Sequence, residues 1–170
     1  MGEVRYPFVK QMVKKVLRDS KIVAAPVDLV AILTKHGIEY EELDDLPDSV
    51  DAMIVEDGDG QTHAMVNANH HPHRQRFSLA HELGHYFLHK GASFGESVSI
   101  DNPPSGEEII INTKSPEEAE ADFFAGELLV PLELLKAESN KQIPHLSKVF
   151  AVSEQVVSIA VSRHMNALFK

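Results

Sequence analysis

Apolar residues recur at helical spacing near the start of the chain. Phe8, Met12, Val13, Val16 and Leu17 fall along one stripe and predict an amphipathic helix over residues 7–19. Pro26 to His36 predicts a second helix, stopped by Gly37. From Ile38 the pattern turns to strands. Ile38–Leu43 reads as one strand; Asp51–Glu56 and Thr62–Asn67, joined by Asp57-Gly58-Asp59-Gly60, read as a β-hairpin.

The next helix is apolar on two sides. Leu79, Leu83 and Phe87 make one stripe, while Phe77, Ala80, Gly84 and Leu88 flank His81 and His85. Such a helix is buried. Ser78 or the polar stretch before Phe77 starts it, and Gly91 stops it. Residues 91–115 are rich in Gly and Ser and hold Pro103-Pro104, so they read as a loop with a short strand at Glu108–Asn112. A loop this long in a compact domain is often functional, here as a flap over a cleft. Ser115-Pro116 then opens a helix that Pro131 closes. The predicted class is α+β: a small antiparallel or mixed sheet packed on helices, with further helices at the C-terminus.

Residues 143–158 resemble a helix-turn-helix with its turn at Val152-Ser153. The second helix, Ser153 to His164, carries only Arg163 as a fixed positive charge. A helix that reads the major groove has more basic and amide groups at its front. The favoured reading is a helical pair packed on the rest of the domain or on a partner. The expected organisation is one unit over residues 1–142, with a helical segment over 143–170 packed on it.

Composition narrows the function classes. A chain of 170 residues with 43% hydrophobic content can build a proper core. It has no cysteine, so any metal site uses nitrogen and oxygen donors. Residues 1–10 hold no apolar signal core, and no run of eighteen apolar residues appears. The expectation is a cytoplasmic protein with no membrane partner. A net charge of −10 argues against tight nonspecific nucleic-acid binding and suits an encounter with a basic partner.

The chemistry concentrates at His81-Glu82-Leu83-Gly84-His85. Histidines four apart project from one face of a helix, as two ligands of one zinc must. Glu82, next to the first histidine, can reach a water on the metal and take its proton. This composition yields one such pentapeptide in roughly 5% of shuffled chains, so context must carry the assignment. Seven of the ten histidines lie between His63 and His89. His63, His70, His71 and His73 sit in loop-like sequence and read as surface groups. His81 and His85 do not, because their helix is buried, and metal ligation satisfies buried imidazoles. His89 reads as a core histidine bonded to backbone, or else as a cleft residue. Tyr86 points about 100° away from His85 and is a poor oxyanion donor.

A zinc hydrolase needs a third protein ligand and one open position. On the helix after Ser115, Glu118, Ala121, Asp122, Ala125 and Leu129 share one face. The two alanines allow close packing on the histidine helix. Glu118 is then the candidate ligand, and Asp122 can accept a hydrogen bond from the outer nitrogen of a ligating histidine. Ser115 and Glu118 also fit a capping box, in which the glutamate only closes the helix start. Spacing alone leaves both roles open. Glu117 and Glu120 face elsewhere and are weaker candidates.

Two long motifs go further. They are Val66-Asn67 with Arg74 through Tyr86, and Glu118-Ala119-Glu120-Ala121-Asp122 through Pro131. Together with Pro26-Val27-Asp28-Leu29-Val30 and His36-Gly37-Ile38, they resemble the ImmA/IrrE family of bacterial and phage metallopeptidases over about residues 25–132. The resemblance implies a zincin-like fold with one zinc on His81, His85 and Glu118, and Glu82 as catalytic base. It implies a protein substrate: a repressor with a helix-turn-helix DNA-binding domain. The chain departs from the family's usual residues at Ala52, Asp122 and Val130, none of which removes a catalytic group. Two functions follow. One is a zinc endopeptidase that cuts such a repressor. The alternative is a non-catalytic module, with structural zinc or none, that controls a transcription factor by contact.

Overall fold

The structure is a computed structural model that describes residues 3–89, 97–98 and 114–169. Gly91, the expected strand at Glu108–Asn112 and most of the expected flap lie outside the described residues.

Seven helices and four strands are described: α1 (Tyr6–Asp19), α2 (Leu29–Lys35), β1 (Ile38–Leu43), β2 (Val50–Glu56), β3 (Thr62–Asn67), α3 (Pro72–Leu88), β4 (Ser97–Val98), α4 (Pro116–Leu129), α5 (Leu132–Ala137), α6 (Ile143–Phe150) and α7 (Glu154–Leu168). The α+β class expected from the sequence is observed. The sheet order is β1-β3-β2-β4. β1 runs parallel to β3, β2 and β3 form the antiparallel hairpin, and β4 pairs antiparallel with β2 at Val50 and Ala52. The sheet is therefore mixed, and β4 covers the outer edge of the hairpin at the start of β2.

Local chemistry explains the boundaries. Asp57 Oδ1 accepts the backbone N–H groups of Asp59 and Gln61, both at 2.9 Å, and closes the hairpin turn. Gly60 takes φ +83° there, a conformation open to glycine. α2 starts later than the pattern suggested, at Leu29, because Asp28 Oδ1 accepts the Ala31 N–H at 2.9 Å. α3 starts in the polar stretch before Phe77 rather than at Ser78. Pro72 occupies its first turn without a missing donor, and His71 Nδ1 accepts the His73 N–H at 3.1 Å. The early start extends the helix that carries both site histidines.

In α1 the buried stripe is Val9, Val13 and Val16, while Phe8 stays 40% exposed under the Arg5 guanidinium. β2 and β3 bury Ala52, Ile54, Ala64 and Val66 against α3, and α3 packs in turn on α4. The buried Asn67 side chain donates to Pro47 O and Val50 O at 3.1 and 3.0 Å, tying the sheet to the loop before β2. Leu146, Phe150, Val157 and Ala160 of the last two helices, with Val152 of the turn between them, join the same hydrophobic core as Leu83 and Phe124. Arg163 is occupied internally. Its guanidinium bonds Glu127 of α4 at 3.0 Å and lies 4.3 Å from the Phe123 ring centre.

Candidate active site

The site forms where the middle of α3 meets the first turns of α4. Gly84 makes the approach possible: a Cβ there would lie 2.9 Å from Ala121 Cα and 3.3 Å from Ala121 Cβ. Two small residues at one contact let the helix backbones come close enough for side chains of α4 to reach the histidines of α3.

His81 and His85 leave one face of α3, with Nε2 atoms 3.1 Å apart. Glu118 completes a triangle. Its Oε2 lies 3.2 Å from His81 Nε2 and its Oε1 3.1 Å from His85 Nε2. Ligands held about 2.0–2.1 Å from a tetrahedral zinc are about 3.3 Å from one another. The carboxylate thus reaches one ring with each oxygen, and the three groups gather closely enough to share one ion. Ser115 Oγ caps the start of α4 by accepting the Glu118 N–H at 3.3 Å, and the Glu118 carboxylate turns to the imidazoles.

The hydrogen-bond partners fix which nitrogens face the centre. His81 Nδ1 lies 2.8 Å from Asp122 Oδ1, so its hydrogen sits on Nδ1 and Nε2 presents a lone pair. His85 Nδ1 lies 3.0 Å from His89 Nδ1. With the hydrogen on His85 Nδ1, its Nε2 also presents a lone pair. With both rings neutral, two lone pairs and a carboxylate facing one another at 3.1–3.2 Å repel unless a cation lies between them. The donor set therefore fits a divalent metal, and nitrogen with carboxylate oxygen suits zinc.

Electrostatics around the two rings differ. Burial opposes a charge on His81, but the Asp122 hydrogen bond and charge, with Glu82 and Glu118 nearby, outweigh it and raise its pKa. Burial and the neighbouring His81 ring push His85 the other way. Asp122 resists its own burial through hydrogen bonds from His81 and Lys114, and its pKa falls. Glu82, beside His81, is 1% exposed. Glu118 is about half exposed, so the triangle opens to solvent on the α4 side.

Three further residues extend the constellation. His89 Nε2 lies 3.0 Å from Glu120 Oε2. Glu120 is 2% exposed and takes three bonds from Arg5: backbone N at 2.8 Å, Nε at 2.9 Å and Nη2 at 2.6 Å. The Arg5 bonds hold the Glu120 carboxyl down to about 2. His89 is thus bonded to side chains rather than to backbone. Of the other histidines between His63 and His73, none joins the triangle, but His71 and His73 line a cavity beside Asp122. His63 pairs with Asp57 at the hairpin turn, and His70, 9% exposed at its side chain rather than a surface group, pairs with Asp51 at 2.8 Å.

A cavity of about 860 Å³ runs beside the site along the N-terminal half of α3. Asp122, Lys114, Arg74, Phe77, Phe123 and Ile159 are among its walls. It combines apolar and charged surface, as a groove for a peptide segment does.

Comparison with known proteins agrees with this geometry. Residues 62–162 match the family described as Peptidase M78, the IrrE N-terminal-like domain. The chain belongs to this ImmA/IrrE family. The match runs from β3 through α3 and α4 into α7. The chain is also 30% identical over 82 residues to Metallopeptidase ImmA of Bacillus subtilis (strain 168). That similarity spans 48% of this chain and 41% of the relative, less than half of either. A Mycobacterium tuberculosis transcriptional regulator shares the fold, with a TM-score of 0.59, 17% identity, and coverage of 91% of this chain and 47% of that one. The family is one of metallopeptidases and implies a divalent metal, for which His81, His85 and Glu118 form a possible site. Among the described residues no helix is long and apolar enough to cross a membrane.

Proposed function

We propose that this member of the ImmA/IrrE family is a zinc endopeptidase. It holds one zinc on His81, His85 and Glu118 and hydrolyses a protein substrate, a helix-turn-helix repressor, in the cytoplasm. The observation that carries the reading is the triangle of His81 Nε2, His85 Nε2 and the Glu118 carboxylate, set on the helix that also bears Glu82. Bound zinc supplies Lewis acidity and brings the ionisation of water near pH 7.

The chain's own residues do the rest. Glu82 takes a proton from the attacking water onto a carboxylate oxygen and returns it to the leaving amine nitrogen. Its burial beside His81 keeps that proton from bulk solvent. Asp122 holds His81 in the tautomer that faces the centre. The cavity along α3 offers an extended segment of substrate a place next to Asp122. The repressor substrate rests on the family resemblance, and the net charge of −10 suits a basic DNA-binding partner. We take residues 143–170 as a helical closure of the same unit as residues 1–142.

The test separates an enzyme from a contact-only regulator. Glu82→Gln is nearly isosteric but cannot accept the proton. In cells that report on genes controlled by the repressor substrate, it is expected to leave those genes silent while the wild type switches them on. Equal induction by Glu82→Gln would give the function to binding alone.

A further inference from the structure

We infer that His89, Glu120 and Arg5 form a positioning relay that orients His85 for the metal, the counterpart of what Asp122 does for His81. The inference rests on the metal-site reading given above. Its starting point is an asymmetry. His81 leans directly on a carboxylate, with Nδ1 2.8 Å from Asp122 Oδ1. His85 has a second imidazole at that position, His89 Nδ1 at 3.0 Å.

The hydrogens along this chain have one self-consistent arrangement. A ligating His85 Nε2 requires the hydrogen on Nδ1, which donates to His89 Nδ1. His89 Nδ1 must then be the bare nitrogen of a neutral ring, so its hydrogen sits on Nε2 and donates to Glu120 Oε2, 3.0 Å away. Glu120 accepts at both oxygens. Arg5 N and Nε reach Oε1, and Arg5 Nη2 shares Oε2 with His89. Four donors on one buried carboxylate leave it no freedom to turn, and they fix the tautomer of His89. The opposite tautomer would set two N–H groups or two lone pairs against each other at one end of the chain. Packing alone does not demand this polarity, since a leucine could fill the buried space of His89, whose side chain is 6% exposed.

The relay also ties the N-terminus to the site. Arg5 comes 115 positions before Glu120, and α1 packs on α4 at this point. An outer partner of a metal-bound histidine typically changes metal affinity by about 10–100-fold when lost.

Zinc affinity of the full chain, measured by competition with a chromophoric chelator, tests the relay without any substrate. Melting of the metal-free protein is recorded alongside. His89→Leu is expected to fold and to bind zinc about 10- to 100-fold more weakly. His89→Asn, whose amide oxygen can take the place of Nδ1 as acceptor, is expected to recover most of that loss. Arg5→Met, at a half-exposed side chain, reads the chain from its outer end and is expected to weaken zinc by several-fold even if His89→Leu fails to fold. Wild-type affinity in a folded His89→Leu, or in Arg5→Met, would overturn the relay. So would His89→Asn binding as weakly as His89→Leu at similar melting temperatures, which would leave His89 with packing alone. If the wild type itself bound no zinc, the metal-site reading would fall instead.

Discussion

The Glu118 carboxylate had two possible partners, the rings of α3 and the backbone at the start of its own helix. The carboxylate faces the rings, and Ser115 Oγ caps the Glu118 N–H, so removing the charge of Glu118 leaves that cap in place. Glu118→Gln is therefore expected to melt near the wild-type temperature when metal-free and to retain well under one zinc per chain after dialysis, as measured by elemental analysis. Unchanged zinc content would move the third-ligand role elsewhere. Asp122→Asn removes the charge behind His81 and is expected to weaken zinc by about 10–100-fold in chelator competition. At this scale the sequence was legible where candidate ligands sit on one helix at fixed spacing. His81, Glu82, His85 and the pairing of Asp122 with His81 all follow from helical periodicity. The choice between cap and ligand for Glu118 did not, because the same spacing serves both. The His89–Glu120–Arg5 chain was out of reach, because it joins α1, α3 and α4 across up to 115 positions. A wheel drawn for α4 alone turns Glu120 away from Glu118 and gives no hint of it.

The contact of α3 with α4 decides whether the ligands converge. Alanine in place of Gly84 would gain about 1 kcal/mol of helix propensity. It would also put a Cβ 2.9 Å from backbone Cα of Ala121, and backbone cannot swing aside as a flexible side chain can. Overpacking of this kind costs about 1–3 kcal/mol. Gly84→Ala is expected to lower stability in urea titration and to weaken zinc, since α4 carries Glu118 and must retreat. A more stable Gly84→Ala with full zinc affinity would mean that the close approach is incidental. The helices and the hairpin were readable as elements from period and turn chemistry. Their ends shifted where one side chain acted locally: Asp28 delayed α2, and Pro72 with His71 brought α3 forward. The pairing of β1 with β3 rather than β2 was not readable, since parallel pairing leaves no turn signature between the two strands.

Across the whole molecule one core runs from α1 to α7, and the last two helices contribute Phe150 and Leu146, both fully buried. Phe150→Ala is expected to cost about 3–5 kcal/mol, a large part of a domain stability of about 5–15 kcal/mol. Thermal melts and urea titrations would show it, and a loss under 1 kcal/mol would mean the C-terminal pair is loosely attached. The helix-turn-helix pattern of residues 143–158 was visible in sequence, and its sparse positive charge already favoured a packed helical pair. The same turn serves DNA readers and packed helical pairs, and only the fold reveals that Arg163 is spent on Glu127 and Phe123. The account stands on hydrolysis at the His81–Glu82–His85–Glu118 centre, and the mass of a substrate reports it most directly. A helix-turn-helix repressor from the same organism, taken as the regulator, is incubated with zinc-loaded wild type, with wild type plus chelator, and with equally zinc-loaded Glu82→Gln, and each mixture is weighed intact. The account predicts two fragments whose masses sum to the regulator plus one water with wild type alone, and cleavage slower by at least about 10²–10⁴-fold with Glu82→Gln. Equal fragmentation by wild type and Glu82→Gln, or by the chelated protein, would contradict it.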